Sequence, residues 1–280
     1  MSTGTRLFAL TALTMVAFAA NSILNRMALA DLGMGPASFA AIRLISGAAL
    51  LTALVWRMHR RVAPFAPGRP TGVIALSAYV IGFSYAYVTL DAGLGALLLF
   101  GGVQITMFAG GLLGGERPPA RRWAGAVLAL TGLAWLLWPA GVSPPPLSGV
   151  ALMLVAALGW GIYSLQGRGA SDPTEATASN FLLAAPLGIA LVALLPDAAP
   201  PAGIALAILS GAVTSGLGYA LWYTVLPQLT ASSAAVAQLS VPVIALAAGA
   251  ALLGEPITTR LLLASALVLG GILLSATAKR

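Results

Sequence analysis

Cysteine is absent from this chain of 280 residues, which excludes disulfides and thiolate metal sites. The absence names no redox compartment, because a helical bundle needs neither device. Charge is scarce as well: 8% of residues are Asp, Glu, Lys or Arg, against about a quarter in an ordinary soluble domain. The single histidine, His59, falls in a basic joint with no carboxylate cluster beside it, so acid–base or metal catalysis lacks its usual parts. No Gly-rich phosphate loop of the Walker type appears, so an ATP-driven pump is unsupported and no cofactor is expected. Acidic residues are missing from the apolar runs: Asp31, Asp91, Glu116, Asp172, Glu175, Asp197 and Glu255 all fall at their ends or between them. A proton-driven antiporter of cationic drugs normally carries a buried carboxylate, so this pattern weakens that reading and leaves the energy coupling open, facilitated efflux included.

Apolar residues, by contrast, make up 59% of the chain, with 32 glycines and 18 prolines. No soluble core of this size hides so much apolar surface, and Gly and Pro are both commoner in membrane helices than in soluble ones. Stretches such as 124–137 and 261–274 are apolar on every face, which argues against the alternating pattern of a membrane barrel. Cutting at charged, Pro-rich and Gly-rich breaks gives runs near 6–30, 36–57, 71–91, 93–114, 122–140, 147–168, 176–196, 202–226, 231–254 and 259–278. Each is about 20 residues, the length a helix needs to cross hydrocarbon. An all-α membrane protein of ten transmembrane helices is therefore expected, with joints too short to hold a soluble domain.

The net charge of +7 is unevenly placed. Arg6, Arg57, Arg60, Arg61, Arg69, Arg117, Arg121, Arg122, Arg168, Lys279 and Arg280 fall on one side, and only Arg26 and Arg260 on the other. The positive-inside rule then puts both termini in the cytoplasm. The basic face is explained by orientation and anionic lipid, so membrane lipid is the expected partner and nucleic acid is not. Arg6 followed by an apolar run ending in Ala19 and Ala20 also resembles a cleaved signal peptide, but nine further runs make a retained first helix the simpler expectation.

Laying the two halves over each other exposes a repeat. Phe18, Asn21, Ser22, Asn25 and Arg26 fall opposite Trp160, Tyr163, Ser164, Gly167 and Arg168, all offset by 142. Ser84-Tyr85-Ala86 falls opposite Gly218-Tyr219-Ala220, and Gly115-Glu116-Arg117-Pro118 opposite Gly254-Glu255-Pro256. The expected units are residues 1–140 and 147–280, five helices each. Five is odd, so the second unit enters the membrane from the other side and the repeats are inverted, as in many transporters with a midplane site.

Ten spans, a five-plus-five repeat, and a Gly-Glu-Arg-Pro or Gly-Glu-Pro turn after the fourth and ninth helices resemble the EamA branch of the drug/metabolite transporter (DMT) superfamily. The resemblance covers nearly the whole chain, and within the family it is nearest to the YddG-type exporters of aromatic and other amino acids. It implies export of small metabolites from a bacterial cytoplasm, across the inner membrane, by alternating access through a central cavity. It implies no enzyme activity and no obligatory protein partner. Small multidrug relatives carry a glutamate in the first helix, where this chain offers Phe18 and Asn21. Export of other metabolites or of cationic drugs stays open, as do a channel and a membrane-embedded enzyme.

Polar and aromatic residues inside the apolar runs mark the candidate site. Tyr79, Phe83 and Tyr87 recur at i, i+4 and i+8 and so share one helix face, as do Trp160, Tyr163, Ser164 and Gly167 on the sixth run. The matching face of the first run is Phe18, Asn21, Ser22 and Asn25. Such groups suit a small zwitterion with an apolar side chain. Asn21, Asn25, Gln104 and Gln238 are expected either to line the cavity or to bridge helices. Trp222, Tyr219 and Tyr223 serve either substrate contact or the membrane interface, whereas Trp56, Trp123, Trp135 and Trp138 read as interfacial belt. Gly101, Gly102, Pro186 and Pro242 are candidate hinges or packing notches. Arg43 is the costliest residue, at about 3 kcal/mol or more unless paired. Asp91 is its expected partner, with Asn25 as a neutral alternative; Arg43 is either structural or meets a substrate carboxylate.

Overall fold

The computed structural model describes residues 3–58, 62, 66, 68–115, 117–138, 145–167, 170–229 and 237–277. His59, Arg60, Arg61, Glu116, Arg168, Lys279 and Arg280, named above, lie outside the described residues. Ten helices and no strand form among those described: α1 (Thr3–Arg26), α2 (Pro36–Arg57), α3 (Arg69–Ala86), α4 (Ala92–Leu113), α5 (Ala120–Leu137), α6 (Leu147–Gly167), α7 (Pro173–Leu194), α8 (Pro201–Gln228), α9 (Ser240–Leu253) and α10 (Thr259–Ala276). Six of them are long and apolar enough to span hydrocarbon, and α9 and most of α10 are shorter apolar helices. The starts follow local chemistry. Proline occupies the first turn of α2, α3, α7 and α8, where no intrahelical donor is needed, and Asp172 and Thr258 cap α7 and α10.

Two helices whose own N-cap residues, Gly35 and Asp91, make no side-chain capping bond, α2 and α4, are capped from far along the chain. Asp197, between α7 and α8, accepts from the Ala37 and Ser38 amides at 2.8 and 3.0 Å. Glu255, between α9 and α10, accepts from the Ala92 and Gly93 amides at 2.6 and 3.3 Å. Gly254 makes this possible: at φ 66° it ends α9 in the left-handed region and turns Glu255 back toward α4. Gly115, just after α4, has φ 84°.

In lipid the hydrophobic effect does not drive helices together, so close packing must. α5 and α10 pack where glycines face each other: a Cβ on Gly271 would stand 2.6 Å from the Gly125 carbonyl oxygen and the Ala129 nitrogen. α2 packs on α7 and α8, α3 on α6 and α7, and α1 on α8 and α9. Large apolar side chains such as Phe8, Ile74 and Leu113 face outward, while Phe39, Leu44, Leu76, Leu97 and Phe181 fill the interior.

α8 departs from α geometry over Leu209–Leu217, which forms π-helical turns, and α1 runs on past Arg26 into π turns over Met27–Asp31. π turns concentrate at functional sites because the widened turn re-aims side chains. Here it brings Ser210, Thr214 and Ser215 onto one neighbour, Asn21 of α1.

Candidate substrate site around Arg43

Arg43, in the first half of α2, is fully buried. Its Nε donates to Ser215 Oγ at 3.0 Å, and its Nη2 to Tyr79 Oη at 3.0 Å and Tyr219 Oη at 3.5 Å. The guanidinium also sits 5.2 Å from the Tyr79 ring centre and 5.1 Å from that of Phe83, within cation–π range. Nη1 has no hydrogen-bond partner.

The expected pairing with Asp91 does not form. Asp91 lies 3.5 Å from Arg26, which also approaches Glu255 at 3.8 Å and donates to the Tyr87 and Val88 carbonyls. Asn25 is likewise spent elsewhere: its Nδ2 donates to the Asn21 carbonyl and its Oδ1 accepts from Ser84. The physical reason is depth. Asp91 stands at the helix end beside other loop charges, where water pays part of its solvation, and Arg43 is left to hydroxyls and ring faces in the interior.

Asn21 anchors this arrangement. Its Oδ1 accepts from Ser210 at 2.8 Å, Thr214 at 2.5 Å and Ser215 at 3.4 Å. Ser215 thus receives the Arg43 Nε–H and passes its own proton to Asn21, a relay that fixes the guanidinium plane. The three α8 hydroxyls escaped the sequence reading. Their signal is the Ser210, Thr214, Ser215 spacing inside an apolar run, a pattern that isolated membrane serines and threonines blur.

Around the guanidinium the aromatic side chains form one connected cluster. Trp160 lies 4.9 Å from Tyr79, 4.8 Å from Tyr219 and 5.9 Å from Phe18, ring centre to ring centre, and stacks on Tyr163 at 5.7 Å. Tyr79, Phe83 and Tyr87 follow one another down α3 at 5.3 and 4.7 Å. Trp222 is buried against Phe18 at 5.9 Å. Trp56, Trp123, Trp135 and Trp138 are exposed.

Other candidates stand apart from the cluster. Gln104 is half-buried on α4, Gln238 is buried just before α9, and Ser164 donates to its own helix at the Trp160 carbonyl. α4 runs unbroken through Gly101 and Gly102, and Gly102 faces Ala157 of α6. Pro186 lies on the outward side within α7, while Pro242 sits in the first turn of α9, where its missing amide costs nothing.

Beside this cluster a cavity of about 410 Å³ opens at the ends of α3, α6 and α7, lined by Arg69, Tyr163, Glu175, Thr177, Asn180 and Tyr223 among others. Arg69 and Glu175 are paired across it at 3.1 Å. Tyr163 joins the two regions, since its ring stacks on Trp160 and its hydroxyl end faces the cavity lining.

A bundle of apolar helices around a polar and aromatic centre defines a multi-pass membrane protein, and its relatives define the class further. The EamA-like transporter family matches over residues 147–277. An uncharacterised Pseudomonas aeruginosa protein is 52% identical, covering 96% of this chain and 94% of its own. An uncharacterised transporter of Archaeoglobus fulgidus is 27% identical over 72% of this chain and 74% of its own, and the uncharacterised transporter YoaV of Bacillus subtilis is 24% identical over 86% and 87%. A crystal structure superposes with a TM-score of 0.71 at 19% identity over 96% of this chain and 97% of that one, a likeness of fold alone. The chain thus carries an EamA-like transporter domain over residues 147–277 and has transporter homologues along most of its length. That domain and those homologues point to transport of small molecules across a membrane, which fits a protein that is not an enzyme.

Proposed function

We propose that this protein exports neutral amino acids, those with large apolar side chains foremost, from the bacterial cytoplasm across the inner membrane by alternating access. The observation that carries the reading is Arg43: a buried guanidinium that meets no carboxylate among the described residues and keeps one Nη1 without a hydrogen-bond partner. A substrate carboxylate supplies the missing acceptor. The faces of Trp160, Tyr79, Phe83 and Tyr219 receive the apolar side chain and give an ammonium group cation–π contact.

Alternating access is supported by how the helices meet. Exchanging α1–α5 with α6–α10 turns the α3–α6 contact into α8–α1, α4–α6 into α9–α1, and α2–α8 into α7–α3, all of which are present. α2–α7, α4–α9 and α5–α10 map onto themselves. Inverted repeats 1–140 and 147–280 produce that pattern. The arginine asymmetry supports cytoplasmic termini, which puts the open cavity beside Arg69 on the cytoplasmic side and the Glu255–Arg26 contacts on the outer side.

The test is counterflow in proteoliposomes loaded with single radiolabelled amino acids. Saturable exchange is expected for neutral amino acids and not for the corresponding amines, which lack the carboxylate, and Arg43→Ala abolishes it in a protein that still folds. Saturable exchange of the amines with equal efficiency would remove the carboxylate from the recognition scheme, and movement of another solute class alone would refute the amino-acid assignment.

A further inference from the structure

We infer that the cavity beside Arg69 is a second, separate binding site for a zwitterion, where the substrate is held before it reaches Arg43; this rests on the transport reading above. Charged groups in this cavity are built in rather than incidental. The Arg69 side chain is 6% exposed, and besides Glu175 it donates to the Ala176 carbonyl at 2.8 Å and to Asn180 Oδ1 at 3.5 Å. Glu175 in turn accepts from Ser179 at 2.5 Å, and Asp172, the remaining acidic group of the lining, is engaged in capping α7 at the Glu175 amide. Asn180 fits only because position 72 is glycine: a Cβ there would stand 2.9 Å from its Nδ2.

The second observation is Tyr163. Its hydroxyl is buried at the cavity lining among the Thr177, Asn180 and Tyr223 side chains, yet makes no hydrogen bond of normal geometry with any of them. A buried hydroxyl whose bonds are poorly made forfeits part of about 1–3 kcal/mol, and a ligand that accepts its proton at good geometry recovers it. The same ring stacks on Trp160, which abuts Tyr79 and Tyr219, the two hydroxyls on Arg43. The floor of the cavity is therefore the roof of the Arg43 cluster.

Charge balance selects the ligand class. A ligand of one sign entering between Arg69 and Glu175 strands the other member of the pair, and an uncompensated buried charge is expensive. A zwitterion exchanges with both at once: its carboxylate takes Arg69 and the Tyr163 hydroxyl, its ammonium takes Glu175. A volume of about 410 Å³ holds one small amino acid with some water. Arg43, a lone cation, meets the carboxylate and leaves the ammonium to ring faces, whereas the Arg69–Glu175 pair offers a full charge to each end of the same molecule.

The experiment uses full-length protein in proteoliposomes of known orientation, with Tyr163→Phe and Asn180→Ala. Tyr163→Phe keeps the ring on Trp160, so the bundle is preserved. KM measured from the Arg69 face is expected to rise about tenfold in either variant, with KM from the opposite face unchanged. Equilibrium binding of a labelled neutral amino acid to detergent-solubilised Arg43→Ala is expected to retain one site that Glu175→Gln then weakens. Equal KM changes from both faces, unchanged KM from the Arg69 face, or total loss of binding in Arg43→Ala would overturn the second site while leaving amino-acid export standing. If the wild type moves no amino acid, both readings fall together.

Discussion

Glu255 Oε1 accepts the Ala92 amide proton at 2.6 Å, although the two residues lie 163 positions apart. One carboxylate from the α9–α10 turn thereby caps α4, approaches Arg26 of α1, and ties three elements at one face of the bundle. Its side chain is 9% exposed, so little water competes for it. Glu255→Ala leaves two helix-end amides and Arg26 without that acceptor, and is expected to cost about 1–3 kcal/mol. Asp91, whose side chain is 41% exposed, contributes under about 1 kcal/mol to the same corner. Chemical unfolding in detergent checks both. Equal losses in the two alanine variants would show that burial does not set the ranking.

The same carboxyl carries a pH signature. Burial pushes Glu255 above the usual carboxylate range, against the downward pull of the Ala92 and Gly93 amides and of Arg26, with Asp91 adding to the rise. A raised pKa means the folded protein holds this proton more tightly than the unfolded chain. Its contribution to stability is therefore full below the ordinary glutamate range and falls as pH rises through the shifted one. Thermal unfolding followed between about pH 4 and pH 7 is expected to show that decline, and Glu255→Gln flattens it. An identical slope in the variant would assign the decline to other groups.

Ser215 is the hinge between Arg43 and Asn21, donating to one and accepting from the other. Ser215→Ala strands the buried Arg43 Nε and is expected to destabilise the protein by about 1–3 kcal/mol. Asn21→Ala removes the acceptor of three hydroxyls and costs a comparable amount. Because both act on one relay, the double variant loses less than the sum. A double-mutant cycle measures this directly, with a coupling of about 0.5–3 kcal/mol expected and strict additivity counting against the relay.

The helices were legible in the sequence because lipid as solvent forces long apolar runs, and the runs near 36–57 and 93–114 match α2 and α4 within a residue or so. The shared face of Tyr79, Phe83 and Tyr87 was legible too, since a helical period needs no tertiary knowledge. The cost of Arg43 could be read from its depth, but its partners could not. Ser215 and Tyr219 arrive from a helix more than 170 residues downstream, and π turns with no clear sequence signature aim the serine. Asp91 looked suitable by depth alone, yet Arg26, from the end of α1, reaches it first. The Gly-Glu turn was visible as a motif, while its use as a cap for α4 depended on which helix end it meets.

The α5–α10 contact offers a test of how this bundle coheres. Gly271 and Gly125 meet backbone to backbone, so a side chain at either position has no flexible neighbour to displace. One residue away, Gly270 has nothing within 4 Å of the space a Cβ would fill. Overpacking of this kind costs about 1–3 kcal/mol in a close-packed core, and in lipid no hydrophobic gain offsets the separation of the helices. Gly271→Val is therefore expected to lower the unfolding midpoint in detergent clearly, and Gly270→Ala to leave it within error or raise it slightly by stiffening the unfolded chain. If Gly270→Ala proves as damaging as Gly271→Val, the loss comes from helix propensity or lipid contact, and the glycine-to-glycine approach is not what holds α5 against α10.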